Sequence, residues 1–403
     1  MSVQLPKISE IGKIFYVTAA FPPVPAGSSI INRNLLSKFD PDSFKVFTTK
    51  SDISAKVESF GKMDVVNIFK SYYFSSRLNH YISKYQLSSA TKKLVKYAEK
   101  ESPAAIVGVF PDYFFLKIAR DAAKELQIPL VAYLHDTIRE SSVGSRLSKE
   151  AENLQEKIFN EASVILVMSE GMRELYKRKY GIESTSLEHT YLEKIPERVS
   201  QNKLNDEAFW GGDIYTINKN SVKRIIDALK INNFKLFIAS GHKRSYFEGL
   251  GIDGESINVG FFSKRDEYLE NLNRYGVLVL ALDWPDESPI HKDELATIFP
   301  TKTPEYLASG APIIVHCPED YFMAQFFKKN DCGIVINERS SAKLEETLKL
   351  ILSGDINMNG YRKNALAAAR LFNVDRLREK FRKVSNQVSK LKWNEKINYS
   401  QFD

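Results

Sequence analysis

The sequence predicts two successive doubly wound α/β domains on parallel sheets, and three observations carry that prediction. Strand-length apolar runs recur without alternation, as in "KIFYVTAA" (13–20), "AAIVGVF" (104–110), "PLVAYLHD" (129–136) and "ASVILVMS" (162–169). A strand buried on both faces reads this way, whereas a half-exposed strand alternates. Helical segments separate the runs, as parallel strands require of their crossovers. The rhythm then breaks over a polar stretch and restarts, and 403 residues are too many for one core.

In order along the chain, the first strand (13–20) leads through the Pro/Gly loop "FPPVPAGSS" into the helix "IINRNLLSKF". "FKVFTTK" and "DVVNIF" are the next strands, and "FKSYYFSSRLNHYISKY" (69–85) is an aromatic and basic stretch. That stretch reads either as a packed helix or as a surface for an acceptor or a membrane. "YFFLKIARDAAKELQ" is amphipathic at helical spacing, and "EGMRELYKRKYG" is a helix closed by Gly181. The break is "STSLEHTYLEKIPERVSQNKLNDEAFWGGD" (184–213), which places the boundary near 190–210. The restart runs "SVKRIIDALK" helix, "FKLFIAS" strand, "INVGFF" strand, "KRDEYLENLNRYG" helix and "VLVLAL" strand. "TPEYLASGAPIIV" (303–315) is a short helix, a Gly turn and a buried strand after Pro312. The expected domains are 1–195 and 205–375, with a basic helix over 376–403 that can pack back on the first domain. The amphipathic "RLREKFRKVSNQVSKLK" (376–392) reads as a solvated packing helix or as a membrane-surface helix.

Composition narrows the function classes. With 43% hydrophobic and 27% charged residues, the chain is an ordinary globular protein. A net charge of +7 lacks the clustering of a nucleic-acid binder and suits phosphorylated substrates or anionic lipid. Two cysteines, Cys317 and Cys332, provide neither a disulfide framework nor a zinc site, which points to a reducing cytoplasmic setting. The longest apolar run, "GVLVLAL" (276–282), is strand length, so no membrane span is expected, and "MSVQLPKISEIGK" does not read as a signal peptide.

Ligands of open α/β sheets gather outside the carboxyl ends of the strands, so the residues that follow each strand are the first candidates. With two such domains in tandem, these ends are expected to face each other across a cleft. After the first strand, Gly27 and Ser28 precede a helix, where backbone N–H groups can approach an anion; a plain turn is the other reading. G-x-G-x-x-G is absent, which argues against a dinucleotide dehydrogenase. His135 and Asp136 end a buried strand and are the candidate catalytic pair, with a structural histidine as the alternative. The histidines share no metal-ligand spacing, and neither a Gly-x-Ser-x-Gly elbow nor a Cys-His pair is present, so no metal and no nucleophilic hydrolysis are expected. "ASGHKRS" (239–245) places His242, Lys243 and Arg244 after a strand, where cations can neutralise a diphosphate or merely form a solvated loop. "FPTKTPEYLASGAP" sets Lys302 and Thr303 just ahead of Glu305 at a helix start. A cation attracts phosphate there, and an ionised carboxylate can accept two hydrogen bonds from a ribose diol. Together they point to a nucleotide diphosphate sugar.

"KTPEYLASGAPIIV" resembles the donor-binding segment of GT-B glycosyltransferases, in particular those of family 4. "KIFYVTAAFPPVPAGSSIINRNLL", "VAYLHD", "ASVILVMSEGMRELYKRKYGI" and "WGGDIY" resemble other segments of the same enzymes, in the right order from about 13 to 375. The resemblance implies two Rossmann-like domains facing across a cleft, the first holding the acceptor and the second the donor. It implies a nucleotide-sugar-dependent glycosyltransferase acting with retention, without cofactor or metal, in cell-surface polysaccharide synthesis. The acceptor would be a glycan or lipid-linked, with contact at the inner face of the membrane. Glu305 would take the ribose, Lys302 and the 242–244 loop the diphosphate, Gly27 the backbone approach, and His135 the transferred sugar. The family often carries two glutamates with seven residues between them; the position of the first is Thr297 here, and Glu294 is the candidate second acid. Where the family has Gly-Arg, this chain has Gly212–Asp213, with Lys219 or Arg244 as the substitute cation. A sugar-nucleotide epimerase and a non-catalytic sugar-nucleotide-binding subunit are the alternatives.

Overall fold

The computed structural model of the chain describes residues 12–22, 27–37, 39–49, 63–69, 77–200 and 205–402. The Pro/Gly loop at 23–26, residues 70–76 and the side chains of 77–84 in the aromatic stretch lie outside the described residues, as do residues 1–11. Contacts divide the chain into two compact units, residues 1–190 with 374–403, and residues 191–373.

In the first unit the order is β1 (Ile14–Val17), α1 (Gly27–Leu36), β2 (Phe44–Thr49), β3 (Asp64–Phe69), α2 (Arg77–Glu101), β4 (Ala105–Phe110), α3 (Tyr113–Leu126) and β5 (Leu130–Leu134). It continues with α4 (Ser148–Glu161), β6 (Val164–Val167), α5 (Glu170–Tyr180) and β7 (Thr185–Ser186). The seven strands lie in the order β3-β2-β1-β4-β5-β6-β7, all parallel. β1, β4, β5 and β6 are buried at every position, the condition behind their unbroken apolar runs. Capping residues set the helix ends. Asp112 accepts from the backbone N–H groups of Phe114 and Phe115 at 2.9 and 3.1 Å, and Ser169 accepts from Met172 at 3.1 Å. Gly181 closes α5 at φ +66°.

The second unit runs β8 (Glu207–Gly211), α6 (Lys219–Ile231), β9 (Lys235–Ala239), α7 (Arg244–Gly249), β10 (Ile257–Gly260), α8 (Arg265–Leu272) and β11 (Val277–Ala281). It ends with α9 (Lys292–Thr297), α10 (Thr303–Ser309), β12 (Ile313–His316), α11 (Phe322–Lys329), β13 (Ile334–Ile336), α12 (Ser341–Leu352) and α13 (Asn359–Ala369). The strand order is β10-β9-β8-β11-β12-β13, again parallel. "TPEYLASGAPIIV" folds as its residue types dictate. Pro304 sits in the first turn of α10, where its missing N–H is not needed, Gly310 closes the helix at φ +65°, and β12 follows.

The last helix, α14 (Val374–Val388), belongs to the first unit. Its Leu377, Phe381, Val384 and Val388 are buried in that core, with Phe381 edge-on to Phe39 at 5.9 Å. Its other positions mix basic and acidic side chains, with Arg378 paired to Asp375 and Arg382 to Glu379. No helix among the described residues is long and apolar enough to cross a membrane.

Candidate functional site

In each sheet the chain reverses its direction of winding once, between β1 and β4 in the first unit and between β8 and β11 in the second. Such points leave a crevice at the strand ends because the flanking helices lie on opposite faces.

In the second unit β8 ends at Gly211–Gly212–Asp213, and Gly212 takes φ +93°, a conformation costly for any residue with a side chain. Helix α10 grips this turn from one side. Gly211 N–H donates to Tyr306 Oη at 2.8 Å, and Lys302 Nζ donates to the Gly211 carbonyl at 2.7 Å. The same amine lies 3.3 Å from the centre of the buried Trp210 ring, which stabilises its cationic form. Burial lowers the Lys302 pKa to about 7, against the opposing pull of Glu305 and Asp213. Asp213 accepts from Ser240 Oγ at 2.7 Å and lies 3.6 Å from His242 Nε2. The His242 ring stacks on Tyr246 with centroids 3.9 Å apart. The ends of β8 and β9 and the start of α10 therefore assemble one polar lip in which a lysine can gain or lose its proton near neutrality.

Glu305, one turn along α10, is held by an anchored cation. Arg265, at the start of α8, donates through Nε and Nη2 to the Glu193 carboxylate, and through Nη1 to Glu305 Oε1 at 2.7 Å. Burial pushes the Glu305 carboxyl up, while Arg265 and Tyr268 pull it back. Beside it opens a groove of about 320 Å³ lined by Tyr191, Glu193, Pro196, Leu269, Glu305 and Ser309 among others.

The N-terminus of α6, also at the β8–β11 switch point, is closed to ligands. Asp283, fully buried at the end of β11, accepts from the backbone N–H groups of Ser221 and Asn220 at 2.7 and 3.1 Å. An internal carboxylate thus already occupies the position an anion would take. Nearby, Arg224 is held by Glu287 at 2.7 Å and lies over Trp284 at 4.8 Å.

In the first unit, His135 follows β5 and is buried, edge-on to Tyr133 at 4.4 Å. Neither of its ring nitrogens has a hydrogen-bond partner among the described residues. Burial, with His189 adding to it, lowers its pKa to about 3, so the ring is neutral at physiological pH. Burial raises the neighbouring Asp136 to about 6. Gly27 and Ser28 open α1, which is fixed to the end of β1 by Asn32: its Nδ2 donates to Ala20 O at 2.8 Å and its Oδ1 accepts from Tyr16 at 2.7 Å.

The structure thus gathers Lys302, Asp213 and His242 at one lip and places Glu305 in the helix that Lys302 caps. Thr303 is buried there, and Arg244 is exposed at the first position of α7. Lys219 opens α6, and Glu294 is buried in α9. Gly27, Ser28, His135 and Asp136 belong to the other unit. Sequence reasoning did not find Arg265, Glu193, Trp210 or Asp283. For Arg265 a local signal existed, since it starts a helix shortly after a strand end. Glu193 lay in a stretch read only as a boundary.

Residues 33–191 match the family model described as Glycosyltransferase Family 4. No protein among the curated ones matches the chain by sequence. Solved structures share its fold. The sucrose-phosphate synthase from Thermosynechococcus elongatus superposes with a TM-score of 0.69 at 12% identity, over 94% of this chain and 99% of that one. The lipopolysaccharide outer core galactosyltransferase WaaB gives 0.62 at 16%, over 94% and 100%. Anabaena HepE, in a complex with UDP-glucose, gives 0.65 at 13%, over 94% and 100%. Residues 33–191 thus carry the match to the Glycosyltransferase Family 4 model, and the chain shares the two-domain GT-B fold of these structures along nearly its whole length.

Proposed function

We propose that this protein transfers a sugar, with retention, from a nucleoside diphosphate sugar to a glycan or lipid-linked acceptor in cell-surface polysaccharide synthesis. The work is done in the cytoplasm, at the inner face of the membrane when the acceptor is lipid-linked. The second unit holds the donor, and the first holds the acceptor with His135 and Asp136 as the catalytic pair. The observation that carries this reading is the place of Lys302, whose amine donates to the Gly211 carbonyl at the end of β8 and which immediately precedes the short helix that carries Glu305. Negative charge develops on the diphosphate as the glycosidic bond breaks, and a preorganised cation in a site of low dielectric stabilises that charge more than one in water. Asp283 already satisfies the α6 terminus, which leaves Lys302 and the His242–Arg244 turn to receive the phosphates. Glu305 accepts from the ribose hydroxyls, and Gly27 and Ser28 offer backbone N–H groups. HepE was crystallised with UDP and with UDP-glucose, which makes uridine donors the first to try.

The test is a thermal-shift screen against UDP, GDP, ADP, TDP and CMP and their sugars. A ligand at a hundred times its Kd adds about 2.7 kcal/mol to stability, enough to register clearly. One nucleotide is expected to stand out, with Glu305→Ala and His135→Ala abolishing turnover of its sugar. If no nucleotide shifts the transition, or both variants turn over normally, the reading fails.

A further inference from the structure

Glu305 is the proposed ribose acceptor, and the partners that fix its direction come from another helix, α8. Its position is set by two side chains of α8, the Tyr268 hydroxyl and a guanidinium that is itself immobilised. Arg265 uses Nε and Nη2 on the two oxygens of Glu193, a two-point contact that fixes both the position and the plane of the group. The remaining Nη1 then points at Glu305 Oε1, 2.7 Å away. The Arg265 and Glu193 side chains are each about a quarter exposed, and that of Glu305 only 14%, so the contact is largely shielded from water.

We propose that Arg265, locked by Glu193, is the positioning residue for donor recognition: it occupies Oε1 of Glu305 and thereby aims the rest of the carboxylate at the ribose diol. This rests on the reading of Glu305 as the ribose contact and assigns it a mechanism. A buried carboxylate without a cation would take up a proton or rotate toward solvent, and in either case would lose its ability to accept two hydrogen bonds. Lysine at position 265 could not replace the arginine. One ammonium cannot keep the two-point contact to Glu193 and still present a separate N–H to Glu305. The three residues also span distant parts of the chain, with Glu193 72 positions and Glu305 40 positions from Arg265. The arrangement therefore exists only when the 191–196 segment is seated against α8 and α10.

The experiment compares binding of UDP and of 2′,3′-dideoxy-UDP to the full chain by calorimetry, and repeats the comparison with the corresponding GDP and ADP pairs. Wild type is expected to prefer the ribose form of at least one pair by about tenfold or more, the size of one or two hydrogen bonds to a charged group. Glu305→Gln should remove most of that preference. Arg265→Met and Arg265→Lys should reduce it about tenfold, and Glu193→Gln should reduce it partly, while affinity for the dideoxy form stays within about twofold. A variant that merely loosened the fold would weaken both forms together. If Glu305→Gln removes the preference but the Arg265 variants and Glu193→Gln retain it, the positioning role is overturned and the donor reading stands. If wild type shows no ribose preference in any pair, the donor reading of Glu305 and the role of Arg265 fall together. Should Arg265→Met not fold, Glu193→Gln decides the matter alone, because it leaves the arginine in place and removes only its anchor.

Discussion

Binding of a diphosphate at Lys302 is predicted to draw a proton from solution. In the free protein burial holds this amine at about 7, against 10.5 for an ordinary lysine. At pH 8, one unit above that value, only about a tenth of the molecules carry the charge. A diphosphate within hydrogen-bond reach favours the ammonium and restores its pKa toward the ordinary value. Binding UDP at pH 8 should therefore take up about 0.9 proton per site. The sign of the affinity change follows. The complex holds more protons than the free protein between about pH 7 and the restored pKa, so raising pH through that window weakens binding by up to about tenfold per unit. Below pH 7 the amine is charged in both states and the dependence disappears. Calorimetry at pH 8 in buffers of different ionisation heat measures the uptake directly, and Lys302→Met supplies the control. Equal uptake by wild type and Lys302→Met, or none by wild type, would refute the reasoning. Stability obeys the same arithmetic. With 10.5 in the unfolded chain and about 7 in the folded one, the unfolded chain binds more protons in between, so Lys302 destabilises the fold below pH 7 and ceases to do so as pH rises to 10.5.

His135→Phe keeps the edge-on ring contact with Tyr133 and removes two buried nitrogens that have no partner among the described residues, so stability at pH 7 should hold or rise by about 1 kcal/mol while sugar transfer is lost. The folded value near 3 against 6.5 unfolded means that His135 costs stability as pH falls from 6.5, and urea unfolding at pH 7 and pH 5 should show His135→Phe to be the less acid-sensitive protein. Asp283→Ala strips the cap from α6 and leaves two N–H groups without their acceptor, a loss of about 2 kcal/mol that thermal unfolding would detect; an unchanged transition would mean that Asp283 does not hold the terminus. Gly212→Val forces a branched side chain into φ +93° and should cost about 1–3 kcal/mol, while Gly212→Ala should cost less; equal transitions for all three proteins would argue that the turn is not strained.

The sequence by itself determined the layers and the lips. Unbroken apolar runs such as 104–110 identify strands covered on both faces, because burial on two sides removes the alternation. Pro304, Glu305 and Gly310 announce a short helix, its start and its left-handed exit, since each acts on the backbone within a few residues. Residues following a parallel strand lie at the carboxyl end of its sheet wherever the strand lies, so chain position alone singles out His135 and His242 as candidates, while Lys302 stands out as a cation at a helix start. Only the tertiary structure decided which groups meet. Spacing shows that 377, 381, 384 and 388 share a face of α14 but not that this face enters the core of the first unit. Nothing near Asp283 in sequence reveals that it fills the start of α6, 62 positions from Ser221. Nothing near Glu305 reveals that its cation comes from α8, braced by a glutamate at the start of the unit. Periodicity and capping are properties of neighbouring residues, whereas the partner of a buried charge is chosen by how elements distant in sequence pack, and one sequence read alone carries no record of that choice.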